Sequence, residues 1–251
     1  MRKNLGQHFL NDSYILTQIL NYANIKENEI VYEIGTGHGQ LTSKLCEKSS
    51  YVISYEIDPL LHSISLKNLC DFNNLELVNA DGLTFSKKFD VLVSNLPYDI
   101  SHKFIEWLIT RKFHRAIVTV QKEFAQKITS SPNNKNYRAI SVISQLCFHI
   151  KLLDEISPEK FYPKPKVNSV ILQIIPKNTL SKQDIQMIKI FLSFKGKTIS
   201  STIRHIVKQM DVDHNKLIKN FPHNKRVNDL HPNEIYEIVR MLKSLTLSNN
   251  I

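Results

Sequence analysis

A chain of 251 residues, 42% of them apolar, can bury one large core, or one large core and a small one. Its 33 Lys and Arg against 23 Asp and Glu give a net charge of +10, which suits a polyanionic partner such as nucleic acid. The three cysteines form no Cys-x-x-Cys pair, the histidines have no metal-ligand spacing, and no run reaches the roughly 18 apolar residues of a membrane span. These features argue against a metal site and a membrane protein. The basic N-terminus also lacks the apolar run of a secretion signal. The expectation is a soluble, cytoplasmic protein.

The first two-thirds of the chain alternates helical and strand-like segments. Helical periodicity covers 13–21, with Asp12 or Ser13 as N-cap. A short β run, 30–35, ends in glycines and leads into a helix over 40–48. Residues 51–56 alternate as a strand, and Asp58-Pro59 opens a helix with the proline where its missing N–H costs nothing. Strands follow at 75–79, 89–94 and 116–121, with a helix over 101–110. The apolar runs at 89–94 and 116–121 suit parallel strands buried on both faces. Such alternation predicts an α/β fold, a Rossmann-like parallel sheet with right-handed crossovers.

From Val142 onward the pattern changes. Segments 147–153 and 167–175 read as strands around a proline-rich stretch, which predicts an antiparallel hairpin added to the sheet. The polar segment 176–181 marks a boundary, and 182–251 has helical periodicity throughout. Two domains are expected: 1–176, carrying the chemistry, and a small helical domain, 177–251, of three or four helices.

Glu33-Ile-Gly35-Thr-Gly37-His-Gly39 follows a strand and precedes a helix. Glycines there let the backbone turn and approach a ligand at the switch point of an open α/β sheet. Glu56 ends the next strand, where a carboxylate can accept from both hydroxyls of a ribose, and Asp81 ends the third, where one can reach an adenine amine. Together they outline a nucleoside pocket. The spacing differs from the Gly-x-Gly-x-x-Gly of dinucleotide sites. Glu33 beside the loop would repel a pyrophosphate and suits a cationic ligand such as S-adenosylmethionine.

Asn95-Leu96-Pro97-Tyr98 ends the fourth strand and is the most specific signal in the chain. The Asn95 side-chain oxygen and a main-chain carbonyl, that of Leu96, can accept both hydrogens of an aromatic amine. They would aim its lone pair at a methyl donor, while Tyr98 offers a face for base stacking. No strong general base is required, because alignment with an activated donor supplies most of the acceleration.

In this order the motifs resemble the KsgA/Erm family of ribosomal RNA adenine N6-dimethyltransferases, over about residues 4–175. Leu5-Gly-Gln-His-Phe-Leu10 looks like the family's opening motif, which implies that Gln7, His8 and Leu10 close over the methyl donor. The resemblance also implies a donor site of Glu33, Gly35, Gly37, Glu56, Asp81 and Asn95. Phe161-Tyr-Pro-Lys-Pro-Lys-Val-Asn-Ser169 matches the late motif, whose phenylalanine, here Phe161, packs against the target adenine opposite the tyrosine.

Two branches follow from the family. One dimethylates two adjacent adenines near the 3′ end of small-subunit rRNA during ribosome biogenesis. The other, the Erm branch, modifies a large-subunit adenine and confers macrolide resistance. Residues 121–127 and 136–142 look more like the small-subunit branch, and the proline-rich motif resembles its archaeal members. Tyr137-Arg-Ala-Ile-Ser departs from the branch by lacking its glycine, and Phe194-Lys-Gly-Lys-Thr198 is a reduced form of its basic segment. The expected partner is ribosomal RNA in an immature small subunit, met by a monomer. Candidate RNA contacts are Lys164, Lys166, Lys195, Lys197, Arg204 and Lys208. A ribosome-assembly RNA-binding factor with secondary or no methyltransferase activity is the alternative from a different functional class.

Overall fold

The structure, a computed structural model, describes residues 7–84, 87–208 and 225–248. Leu5 and Gly6 of the opening motif, and parts of the expected C-terminal helical run, lie outside the described residues. In chain order the elements are β1 (Phe9–Leu10), α1 (Ser13–Ala23), β2 (Ile30–Ile34), α2 (Gln40–Cys46), β3 (Tyr51–Tyr55), α3 (Pro59–Asn68), β4 (Leu75–Val78) and β5 (Val91–Asn95). Then come α4 (Ser101–Leu108), β6 (Arg115–Gln121), α5 (Lys122–Ile128), α6 (Ala139–Cys147), β7 (Phe148–Ile156), β8 (Phe161–Tyr162), β9 (Ser169–Pro176), α7 (Lys182–Ser193), α8 (Ile199–Lys208) and α9 (Pro232–Ser248).

Two compact units divide the chain: Met1–Ala125 with Phe148–Lys177, and Gln126–Cys147 with Asn178–Ile251. The division expected at 176/177 puts 126–147 with the sheet; in the structure this segment belongs to the helical unit. The reason is α6. Ile140, Val142, Ile143 and Leu146 are all buried, and α6 packs on α7 and α9. Seven of its nine residues are buried, because even its polar side is covered: Ser141 and Gln145 turn to the carbonyls of Lys127, Ile128 and Ser130 instead of solvent. Within the same unit, Tyr137 is fully buried and its hydroxyl donates to the Leu230 carbonyl at 2.9 Å. Ser181 and Asp184 form a capping box at the start of α7, and Lys243 of α9 reaches Asp184 at 2.6 Å.

The first unit is built on one seven-stranded sheet of order β4-β3-β2-β5-β6-β9-β7. Strands β4, β3, β2, β5 and β6 are mutually parallel. β9 runs antiparallel to both β6 and β7. The expected hairpin partners β7 and β9 therefore do pair, but the later strand inserts between β6 and its own predecessor. Residues 142–147, expected to begin the non-helical region, are the end of α6.

Alternate residues of the central strands feed two cores. Val31, Val52, Val91, Val93, Ile117 and Ile171 pack with Ile15, Leu16 and Ile19 of α1 and Leu41 and Leu45 of α2. The opposite residue of β2, Tyr32, meets an aromatic group: Tyr55, Phe89 and Trp107 lie 5.2, 4.8 and 5.6 Å from its ring centroid. Burial on both faces accounts for the continuous apolar runs. Local signals set the helix starts: Asp12 accepts from Ile15 N at 3.1 Å, and Asp58 accepts from Leu60 N at 2.8 Å ahead of Pro59.

One ion pair ties the start of β2 to α1 and β6. Arg115 Nη2 lies 2.6 Å from Glu29 Oε2, while Nε and Nη2 donate to the carbonyls of Ala23 and Asn24. The guanidinium beside Glu29 holds its carboxyl down at about 2. Because the folded value lies below the unfolded one, the stabilisation is present above about pH 4.5 and is lost as pH falls toward 2. Glu29 is only 7% exposed, so Arg115→Ala leaves a buried carboxylate without its guanidinium, held by the Lys26 N–H at 2.8 Å and the His114 ring at 3.3 Å. Urea denaturation at pH 7 is expected to show a loss of about 3–5 kcal/mol. The difference from wild type should shrink as the pH approaches 2.

Candidate active site

Most of the motif residues of the first unit meet at the carboxyl ends of the parallel strands. A cavity of about 390 Å³ opens there, the size of a small-ligand site. Gln7, His8, Leu10, Glu33, Gly35, Gly37, Glu56, Asp81, Asn95 and Pro97 line it. Leu96, Tyr98 and Phe161 do not.

The glycine loop is fixed by backbone geometry. Gly35, Gly37 and Gly39 have φ of 85°, 59° and 89°, the left-handed region that disfavours side chains. A Cβ on Gly37 would stand 3.0 Å from the Phe9 ring, so the loop and the β1 segment touch only because glycine is there. The loop also binds the next strand's acid: Gly37 N donates to Glu56 Oε2 at 2.8 Å, and Asp58 N donates to Oε1 at 2.9 Å. Glu56 is 3% exposed, and this pair of donors aims it along the cavity wall. Asp81 is exposed at the rim, with Oδ1 accepting from Leu83 N at 2.9 Å.

Glu33 is 1% exposed. Thr42 Oγ1 and Ser54 Oγ donate to its Oε2 at 2.7 and 2.6 Å, while the buried Oε1 has no hydrogen-bond partner. Desolvation pushes the carboxyl up to about 7, against the pull of the two hydroxyls. A half-satisfied buried carboxyl lining a cavity is suited to a donor-rich or cationic ligand.

At the end of β5, Asn95 Nδ2 donates to the His8 carbonyl at 2.9 Å. With the amide nitrogen committed, Oδ1 is the atom left to accept from a ligand. Pro97 O accepts from Ile100 N at 3.2 Å, so of the two carbonyls in this turn it is that of Leu96 that suits a second acceptor role. The Leu96 side chain is 1% exposed and serves the core. Tyr98 is half-buried; its hydroxyl shares a 2.6 Å hydrogen bond with Ser169, and its ring centroid is 5.1 Å from that of His8. Burial raises its phenol above the ordinary value, so Tyr98 is a neutral ring and not a base.

The expectation that Phe161 offers a face to a base does not fit its position. It is 4% exposed and packs in the core with Leu10, its partner across the β1–β8 pair, because strand alternation turns it inward. The neighbouring Tyr162 points out and is 76% exposed. Lys164 and Lys166 are exposed, Lys164 pairing with Glu159 at 2.5 Å. Lys197, Arg204 and Lys208 are exposed and Lys195 is half-buried; all four lie in the helical unit. The cavity also takes Ile57, Asp99 and Lys103, which the motifs do not name. Ile57, 54% exposed, has a legible signal: an apolar residue directly after a strand-end acid.

Glu33 generates a stability prediction. Its folded value, about 7, lies above the usual carboxyl value of 4.5, so folding favours the protonated form. That stabilisation is present below pH 4.5 and is lost as pH rises through 7, a swing on the order of 3 kcal/mol. Glu33→Gln is therefore expected to melt above wild type at pH 8 and close to it at pH 5, by scanning fluorimetry without ligand.

With this geometry in view, the comparisons with known proteins agree with one another. The model of the family described as "Ribosomal RNA adenine dimethylase" matches residues 1–244. A Pyrococcus abyssi protein, a probable ribosomal RNA small subunit methyltransferase A, is 32% identical over 95% of this chain and 91% of its own. The ribosomal RNA small subunit methyltransferase A of Thermotoga neapolitana is 36% identical over 81% of this chain and 80% of its own. Among solved structures, a dimethyladenosine transferase from Plasmodium falciparum superposes with a TM-score of 0.81 at 29% identity, covering 94% of this chain and 98% of that one. The 23S rRNA methyltransferase ErmE superposes at 0.69 with 23% identity, over 94% and 99%, and shares the fold. The α/β sheet with its one reversed strand is thus that of a Rossmann-like methyltransferase, and the chain belongs to the ribosomal RNA adenine dimethylase family.

Proposed function

We propose that this enzyme transfers methyl groups from S-adenosylmethionine to the N6 amines of two adjacent adenines near the 3′ end of small-subunit rRNA, acting as a monomer on immature subunits in the cytoplasm. The observation that carries the chemistry is Asn95, pinned through Nδ2 with Oδ1 left to accept at the cavity wall. The small-subunit target is supported by the two curated relatives named for that activity.

The residues present fit the methyl donor. Glu56 can accept from both ribose hydroxyls, and Asp81 can accept from the adenine amine, with Ile57 against the ring. The unpartnered Oε1 of Glu33 suits the cationic part of the donor. Gln7, His8 and Leu10 wall the cavity from the β1 side. Bound there, S-adenosylmethionine supplies an activated methyl group, so the protein need not generate a strong nucleophile.

The protein's task is alignment. Asn95 Oδ1 and the Leu96 carbonyl accept the two N6 hydrogens and turn the amine's lone pair toward the donor. The same two oxygens stabilise the positive charge that grows on nitrogen. Pro97 stiffens the turn that presents them. Tyr98, neutral and fixed by Ser169, gives the adenine a face to stack on. The target base must be single-stranded or flipped out for its amine to reach this point.

Asn95→Ala is expected to lower kcat by 100-fold or more, with a much smaller loss of affinity for S-adenosylmethionine from the freed β1 segment, by single-turnover methylation and calorimetry. Undiminished turnover would refute the assignment. Target choice is tested by incubating the protein and labelled donor with small and large subunits that lack the modification, then mapping methylated adenines. Dimethylation of adjacent small-subunit adenines is the expected result. Label confined to large-subunit RNA would place the enzyme in the Erm branch, and tight donor binding without label would favour the assembly-factor reading.

A further inference from the structure

The loop between α5 and α6 forms a polar cleft that the methyl-transfer chemistry does not use. It lies wholly in the helical unit and shares no residue with the cavity at the strand ends. Gln126, Ser130, Ser131, Asn133, Lys135 and Asn136 supply most of its wall, and no carboxylate lines it.

The frame of this cleft is rigidly held from beneath. Gln145 Nε2 donates to the carbonyls of Ile128 and Ser130 at 3.1 and 2.8 Å. Ser141 Oγ donates to Lys127 O at 2.5 Å, and Arg138 Nη1 to Lys135 O at 2.6 Å. Asn133, at a positive φ of 64° that asparagine tolerates, donates its N–H to the Asn228 carbonyl at 3.0 Å. Three side chains of the 136–147 segment thus satisfy the loop's carbonyls, which leaves Lys135 and Ser131 exposed on a fixed backbone. Ser130 is the exception to this satisfaction. It is 5% exposed, lines the cleft, and its Oγ has no hydrogen-bond partner. A buried hydroxyl of this kind is relieved by a ligand that brings its own polar atoms.

The lining selects the ligand class. Amides, hydroxyls and one ammonium, without a carboxylate and without an aromatic or aliphatic anchor, do not resemble the centre of a protein interface. They match a ligand rich in oxygen acceptors, with spread negative charge and hydroxyls that both donate and accept. That is the sugar–phosphate backbone of RNA, read through phosphate and 2′-OH and not through base edges. We propose that this cleft is a second, sequence-independent docking site for a strand of the substrate RNA. Lys135 meets a phosphate, and the Ser and Asn side chains meet ribose hydroxyls and phosphate oxygens. The proposal rests on the reading of the enzyme as one that acts on rRNA. It gives the helical unit a contact surface apart from the lysines and arginine that composition nominates.

The test uses the full chain, with small ribosomal subunits lacking the adenine methylation as the probe, in filter binding at several salt concentrations. Lys135→Glu is expected to weaken binding five- to tenfold and to lower the salt slope by about one. Gln126→Lys, which adds a cation at the exposed edge of the cleft, is expected to tighten binding at least twofold, an effect that misfolding would not produce. Both variants should bind S-adenosylmethionine within twofold of wild type. If all three proteins bind subunits equally, the docking site is overturned and the methylation reading stands. If Lys135→Glu also loses donor affinity, Gln126→Lys decides, and unchanged binding by it overturns the site. If wild type binds neither subunits nor rRNA, the proposed function fails and this site with it.

Discussion

Parallel pairing is the constraint on which the site depends. Because β4, β3, β2 and β5 run in one direction, their carboxyl ends lie along one edge of the sheet. Each end delivers one functional element there: the glycine loop and Glu33 from β2, Glu56 from β3, Asp81 from β4 and Asn95 from β5. Residues spread over more than sixty positions of sequence converge without any of them being adjacent in the chain. The conformational-entropy cost of ordering them is offset elsewhere, by burial of the valines and isoleucines of the same strands on the two faces of the sheet.

Two glutamates illustrate how place decides the behaviour of one side-chain type. Glu29 precedes β2 and Glu33 lies within it, four residues apart. Glu29 faces the Arg115 guanidinium and is held near 2; Glu33 faces two hydroxyls and an apolar surround and is pushed to about 7. The first stabilises the fold when ionised. The second is a buried carboxyl on the cavity wall with one oxygen lacking a hydrogen-bond partner, an arrangement suited to satisfaction by a ligand.

The β1 segment completes the site from outside the main sheet. It pairs with β8, its Phe9 ring rests on Gly37, its His8 carbonyl fixes Asn95 and its His8 ring meets Tyr98. A change at Gly37 or His8 therefore reaches the glycine loop and the Asn95 amide together. Phe161 serves this assembly as a buried support behind Leu10.

Much of the first unit was legible in the sequence, because its signals are local. Asp12 and Asp58-Pro59 start helices by hydrogen bonds that span two or three residues, the glycines mark left-handed backbone, and buried strands read as apolar runs. Glu33, Glu56, Asp81 and Asn95 stood out by residue type and position at strand ends, and the structure gathers them at one cavity. What the tertiary structure alone decided were the long-range choices. β9 enters between β6 and β7, a pairing that no local pattern encodes. α6 joins the helical unit because its apolar residues meet α7 and α9 while Ser141 and Gln145 bond the preceding loop, contacts that only the packing shows. Phe161 turns inward and Tyr162 outward through the register of a two-residue strand, which depends on β1, some 150 residues earlier. The orphaned oxygen of Glu33 and the cleft at Lys135 exist only once distant segments pack around them.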